Sequence, residues 1–77
     1  VSVRGPAMTR EQEYLRQSLG ADRVATTVVY ALMRAGIECT AEAIRKAGGA
    51  SGIRKLPRVG SEGEIRVRRY LNWYAKR

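Results

Sequence analysis

Apolar residues recur along this chain at intervals of three and four, and each run is closed by glycine, proline or a residue suited to capping. Thr9 followed by Gln12 has the spacing of a capping box, which predicts a helix start. Tyr14, Leu15 and Leu19 would form the apolar side of that helix and Gly20 its stop. A second helix is expected over residues 23–35, with Asp22 as N-cap and Gly36 as the left-handed stop. Its Val24, Val28, Leu32 and Ala35 are spaced by four, four and three, so they share one face. Residues 24–29 are also rich in β-branched side chains and would suit a strand, but the period is helical and no partner strand is apparent. A third, short helix fits residues 41–47, with Thr40 as cap, Ile44 as core anchor and Gly48-Gly49 as terminator.

The second half of the chain is more punctuated. Residues 48–52 read as a flexible, glycine-rich connection, and Ser51 is placed to cap one further turn through Ile53 and Leu56, which Pro57 would stop. Ser61 with Glu64 repeats the capping-box spacing and opens a last helix that can run to Tyr74. On its wheel Val67, Tyr70, Leu71 and Tyr74 share the face expected to be core, whereas Arg66, Arg69 and Trp73 share another. The pattern predicts an all-α fold: a compact bundle of four to five short helices whose last two are joined by a tight turn. Residues 1–8 carry glycine and proline without periodicity and read as a disordered leader or tag remnant, leaving residues 9–77 as a single small helical domain.

Composition narrows the chemistry. With 77 residues there is room for one domain, and Leu, Ile and Val together number only 16, with no Phe. The core must be thin, and a large enclosed substrate cavity does not fit. There is no His, and Cys39 stands alone, so His-type zinc sites, Ser–His or Cys–His pairs and an internal disulfide are excluded. No catalytic residue, metal or cofactor is indicated, and the chain reads as a non-enzyme. Cys39 is expected to be a small packing residue, and Glu62 and Glu64 to be first-turn carboxylates favoured by the helix dipole. The longest apolar run, residues 24–33, is broken by Thr26 and Thr27 and falls short of a membrane span. No signal-peptide pattern appears, and the expected setting is cytoplasmic, without a membrane partner.

Charge carries the most information. The formal net charge is +8, and it is lopsided. In residues 1–44, Arg4, Arg10, Arg16, Arg23 and Arg34 are balanced by Glu11, Glu13, Asp22, Glu38 and Glu42. Residues 45–77 hold the entire excess, against only Glu62 and Glu64. Such an asymmetry is the electrostatic footprint of a nucleic-acid binder, the plainer reading being a solvated basic surface. Segment 53–60 (IRKLPRVG) followed by a helix is the sharpest local feature. Gly60 is free to adopt a turn conformation, and the amides of Gly60, Ser61 and Glu62 would then point outward at the positive end of the helix dipole, a phosphate site. Arg54, Lys55, Arg58, Arg66 and Arg69 would add charge to it. The alternative is an ordinary corner in which Gly60 serves the turn alone. Farther on, residues 66–77 interleave cations with Tyr70, Trp73 and Tyr74, a pattern suited to phosphate contact and base stacking, or simply to packing.

The turn sequence 56–60 (LPRVG) resembles the hairpin of helix–hairpin–helix DNA-binding modules. With segments 31–37 (ALMRAGI), 40–44 (TAEAI) and 65–71 (IRVRRYL), the stretch from Val24 to Leu71 resembles the C-terminal domain of the bacterial RNA polymerase alpha subunit. The resemblance implies a compact helical domain that touches the DNA minor groove and backbone and docks on transcription regulators. Gly60 matches the family pattern. Thr27 stands at the family's minor-groove arginine and Tyr30 at its neighbouring asparagine. Glu62 replaces a basic residue, Gly63 a serine, and Arg58 the second glycine that hairpin modules prefer. Segment 40–48 (TAEAIRKAG) also resembles the first half of a repressor-type helix–turn–helix, but Ile44 occupies a position that wants a small residue and Gly48-Gly49 displaces the next helix. The expected function is nucleic-acid binding, duplex DNA rather than RNA, in transcription or genome maintenance, through residues 56–61 and the basic last helix. The alternative is a protein-interaction module docking on an acidic partner such as a polymerase subunit or transcription regulator, which Thr27 favours.

Overall fold

Each of the first three helices begins where a side-chain oxygen takes up an amide that the helix itself leaves without a partner. In the computed structural model, which describes residues 8–76, α1 spans Arg10–Ser18, α2 Arg23–Ala35, α3 Ala41–Lys46, α4 Gly49–Arg54 and α5 Gly60–Ala75. The Thr9 hydroxyl accepts the Gln12 amide at 3.2 Å while the Thr9 amide donates to Gln12 Oε1 at 2.8 Å, a complete capping box. Asp22 accepts from the Ala25 amide at 3.1 Å, and Thr40 accepts from the Ala43 amide at 3.1 Å. Gly36 turns left-handed at φ 73° and stops α2, its successor Ile37 donating back to the Leu32 carbonyl at 2.9 Å. The described residues contain no strand, so the all-α expectation holds and residues 24–29 are helix.

The last two helices start differently from their expected caps. Neither α4 nor α5 has a side-chain cap. α4 begins at Gly49, so Ser51 lies inside it, and α5 begins at Gly60, so Ser61 lies in its first turn. The Ser61–Glu64 capping box does not form, because α5 starts before Ser61 and leaves it inside the helix, and the Glu64 carboxylate pairs instead with Arg54 at 3.3 Å and Arg68 at 2.7 Å. Residues 48–52 form a tight corner instead of a flexible connection. Gly48 and Gly49 both have positive φ, and Gly52 lies so near the end of α3 that an added Cβ would fall on the Ala47 carbonyl oxygen. The backbone itself is the packing surface there.

Leu15, Val28, Val29, Leu32, Ile44, Ile53 and Val67 are fully buried, and Leu19, Cys39, Val59 and Tyr70 complete the centre. At roughly 1.5–3 kcal/mol for each large apolar side chain, few of these can be lost from so small a domain. The buried face of α2 is Ala25, Val28, Val29, Ala31 and Leu32, whereas Val24 is half-buried and Ala35 exposed. The rotation follows from α2 lying between α1 and α5 and burying a stripe against both. At the crossing with α5, Gly63 is buried, and a Cβ there would come within 3.0 Å of Val28 Cγ2. Tyr14 and Tyr74, both expected on apolar faces, are 56% and 43% exposed, because the neighbouring Leu15 and Tyr70 already fill those sides of the core. Met8 packs against the core; the rest of the expected leader, residues 1–7, lies outside the described residues.

Two glycines separate the steric from the conformational use of this residue. Alanine is the better helix former, so propensity alone would make Gly52→Ala stabilising by about 1 kcal/mol. The overlap with the Ala47 carbonyl reverses the sign: a loss of at least about 2 kcal/mol is expected, a fall in Tm of roughly 8 °C or more. Gly60, at φ 65° with open space around it, should cost only about 1 kcal/mol on change to alanine. Thermal melts of the two variants check the order; a Gly52→Ala variant as stable as the parent would remove the tight corner.

Candidate nucleic-acid interface

The seven residues expected to meet phosphate are not brought together. Arg66 is spent on the fold. Its Nη1 and Nη2 donate to Asp22 Oδ1 and Oδ2 at 2.9 and 2.8 Å, Nη1 also donates to the Leu19 carbonyl at 2.8 Å, and Nε reaches Glu62 at 3.3 Å. A guanidinium gripping a carboxylate with both arms, on partly covered ground, has no arm left for a phosphate. This fork, helped by the Ala25 amide, holds the Asp22 carboxyl down to about 2. Arg54 pairs with Glu64 and so shares its partner with Arg68. Arg69 lines an open groove of about 450 Å³ with Ser18, Gly20 and Arg66, whose floor also carries Asp22 and Glu62. That groove is balanced in charge.

Lys55, Arg58, Gly60 and Ser61 stay together in and beside the turn between α4 and α5, all exposed. Buried Val59 pins this turn to the core, its amide reaching the Leu56 carbonyl at 3.4 Å. On either side of Val59 the backbone turns left-handed, at φ 70° for Arg58 and φ 65° for Gly60. Alternation of this kind lines up successive amides into an anion-binding concavity. The first bond of the α5 ladder is Gly63 N–H to the Val59 carbonyl, at 3.2 Å, so the amides of Gly60, Ser61 and Glu62 have no acceptor within the helix. Neither Lys55 nor Arg58 has an ion pair among the described residues.

Sequence reasoning from charge alone missed the opposite wall. Thr27, Tyr30 and Arg34 of α2 line a small cleft of about 90 Å³ with Pro57 and Arg58 of the turn. Their spacing of three and four on the polar side of α2 was the available signal, and two of them stand at the positions that the resemblance to the polymerase domain singles out. Other candidate chemistry stays structural. Cys39 is buried, and that burial pushes its thiol up to about 11, away from thiolate reactivity. Among the described residues no group of three or more metal-ligating side chains exists, and no helix is long and apolar enough to cross a membrane.

The Asp22–Arg66 fork carries a pH signature. Because the folded carboxyl titrates below its ordinary value of 3.8, its contribution is complete above about pH 4 and is lost as pH falls towards about 2. Asp22→Asn keeps a good N-cap and removes the charge. Its Tm should lie below that of the parent at pH 7 and should fall less steeply between pH 4 and pH 2. Parallel Tm-against-pH curves for the two proteins would show that the fork contributes nothing.

Comparisons with protein-family models, with curated proteins and with solved structures gave no match.

Proposed function

We propose that this domain is a non-enzymatic, cytoplasmic DNA-binding module, acting in transcription or genome maintenance. It grips the backbone of duplex DNA with the α4–α5 turn and the adjoining polar side of α2. One observation carries the reading: Arg58 occupies a left-handed position at φ 70° where glycine would sit without strain. A side chain in that conformation costs roughly 1 kcal/mol, and here it presents an exposed guanidinium beside the uncapped start of a 16-residue helix. Arg34 across the cleft and Lys55 at the end of α4 add positive charge at the same surface. The resemblance to the C-terminal domain of the polymerase alpha chain, and to helix–hairpin–helix modules, supports the same surface through Gly60 and the positions of Thr27 and Tyr30. Thr27 in place of an arginine favours the second reading, a module that docks on an acidic polymerase subunit or regulator.

Salt dependence tests this. Three to four phosphate contacts at roughly −0.9 each give a slope of about −3 in log K against log[salt] for a short duplex. Arg58→Gly should lower the slope by about one unit while leaving Tm unchanged or slightly raised, a separation of binding from folding. Adding Arg34→Ala should bring the loss to about two units. Arg10→Ala with Arg16→Ala, from the charge-neutral half, should leave the slope nearly as it was. Equal losses from the two double variants would reject the turn as the contact, and no binding at low salt would transfer the assignment to the docking module.

A further inference from the structure

The C-terminal half of α5 carries aromatic side chains that the core does not use. Trp73 and Tyr74 are 48% and 43% exposed, and Tyr14 on α1 is 56% exposed. Trp73 and Tyr74 form one cluster with Tyr70. Tyr74 lies 6.0 Å from buried Tyr70 and 6.4 Å from Trp73, centroid to centroid. Tyr14 is near enough to Tyr70 to help raise its hydroxyl above the ordinary value, after burial and Tyr74. Ser18, one turn past Tyr14 and donating to its carbonyl at 3.0 Å, lines a hollow of about 240 Å³ with Trp73. Exposed aromatics gathered in this way mark a contact surface rather than a packing remnant.

Charge identifies what the surface takes. Beyond Glu64, α5 has no acidic residue. Arg66 and Arg68 are neutralised by their carboxylates, but Arg69 and Lys76 have no ion pair among the described residues. They stand four before and three after Trp73, so the three share one face over about 10 Å of helix. The occupant must therefore combine negative charge with flat, apolar faces. A duplex offers the charge but keeps its bases stacked inside. An acidic peptide offers the charge with few flat faces. A single strand of nucleic acid offers both.

We propose that Trp73 and Tyr74, with Arg69 and Lys76 along the rim, form a second surface that stacks unpaired nucleobases of a single strand. It uses none of the residues assigned to duplex binding. Its geometry would let one domain hold a duplex at the turn and an unpaired segment at the end of α5.

Trp73 is the sole tryptophan, so its fluorescence reports directly on stacking. The full chain is titrated with oligothymidylate, with an abasic strand of the same length and with polyglutamate. Oligothymidylate should quench the emission, and the abasic strand and polyglutamate should leave it nearly unchanged. In anisotropy measurements with labelled oligothymidylate, Trp73→Leu should weaken binding about fivefold to a hundredfold and Trp73→Phe should retain most of it. Tyr74→Leu provides the second variant, and melts establish that each is folded. Equal affinity for the abasic strand would overturn the proposal in favour of diffuse cationic attraction. Polyglutamate binding with equal strength would assign the surface to an acidic peptide, and parental affinity in folded Trp73→Leu would remove the aromatic role. Arg58→Gly should weaken duplex binding while leaving the oligothymidylate quenching in place, so failure of either site is visible separately.

Discussion

Arg66 reaches from the middle of α5 to the corner between α1 and α2 and there grips Asp22 with both terminal nitrogens and the Leu19 carbonyl with one. Asp22 is at the same moment the N-cap of α2, so one carboxylate fixes where a helix begins and where another helix lies against it. The corner is shaped for the guanidinium: a Cβ on Gly20 would come within 2.6 Å of Arg66 Nη1. Exposed ion pairs are usually worth little, but here the geometry is bidentate, the Arg66 side chain is only 22% exposed, and a backbone carbonyl shares the grip. Its main effect is orientation. With α5 held at this angle, the start of that helix and the turn before it are held too.

A thin core imposes a second constraint, and small residues answer it. Alanines 25, 31 and 41 are buried, Gly52 lets its backbone meet that of Ala47 directly, and Gly63 leaves the room that the Val28 and Val59 side chains fill. Close backbone approach recovers dispersion contacts that larger side chains would supply in a bigger domain. The same economy positions the turn between α4 and α5. Val59 enters the core, which leaves its neighbours Arg58 and Gly60 on the outside in left-handed conformations. The proposed binding surface and the core are thus set by adjacent residues of one turn.

Pairing redistributes the basic charge that composition places in the second half of the chain. Glu64 occupies Arg54 and Arg68, and Asp22 with Glu62 occupies Arg66. Among the described cations left without an ion pair, Lys55 and Arg58 join Arg34 around the α2–turn cleft, Arg69 and Lys76 flank Trp73, and Arg45 and Lys46 lie exposed at the end of α3. A chain with a net charge of +8 need not be uniformly sticky. Here the carboxylates act as much to silence particular arginines as to lower the total.

The helix class and the first three helix starts were legible from the sequence alone. The Thr9–Gln12 box, the Asp22 and Thr40 caps and the Gly36 stop all form as the spacing predicts, because each is complete within a few residues. The charge asymmetry and the turn at Pro57 and Gly60 were legible for the same reason. What needed the tertiary structure was every choice made by a distant partner. Ser61 and Glu64 have the spacing of a cap, but the turn pinned by Val59 starts the helix ahead of Ser61, and Glu64 pairs with Arg54 and Arg68. Arg66 reads as a phosphate contact until a partner 44 residues away takes it. Tyr74 has the position of a core residue, and Tyr70 one turn earlier fills the space. Local spacing determines which hydrogen bonds a segment is able to make; packing decides which of them win, because a side chain has one set of donors and many neighbours that only folding brings within reach.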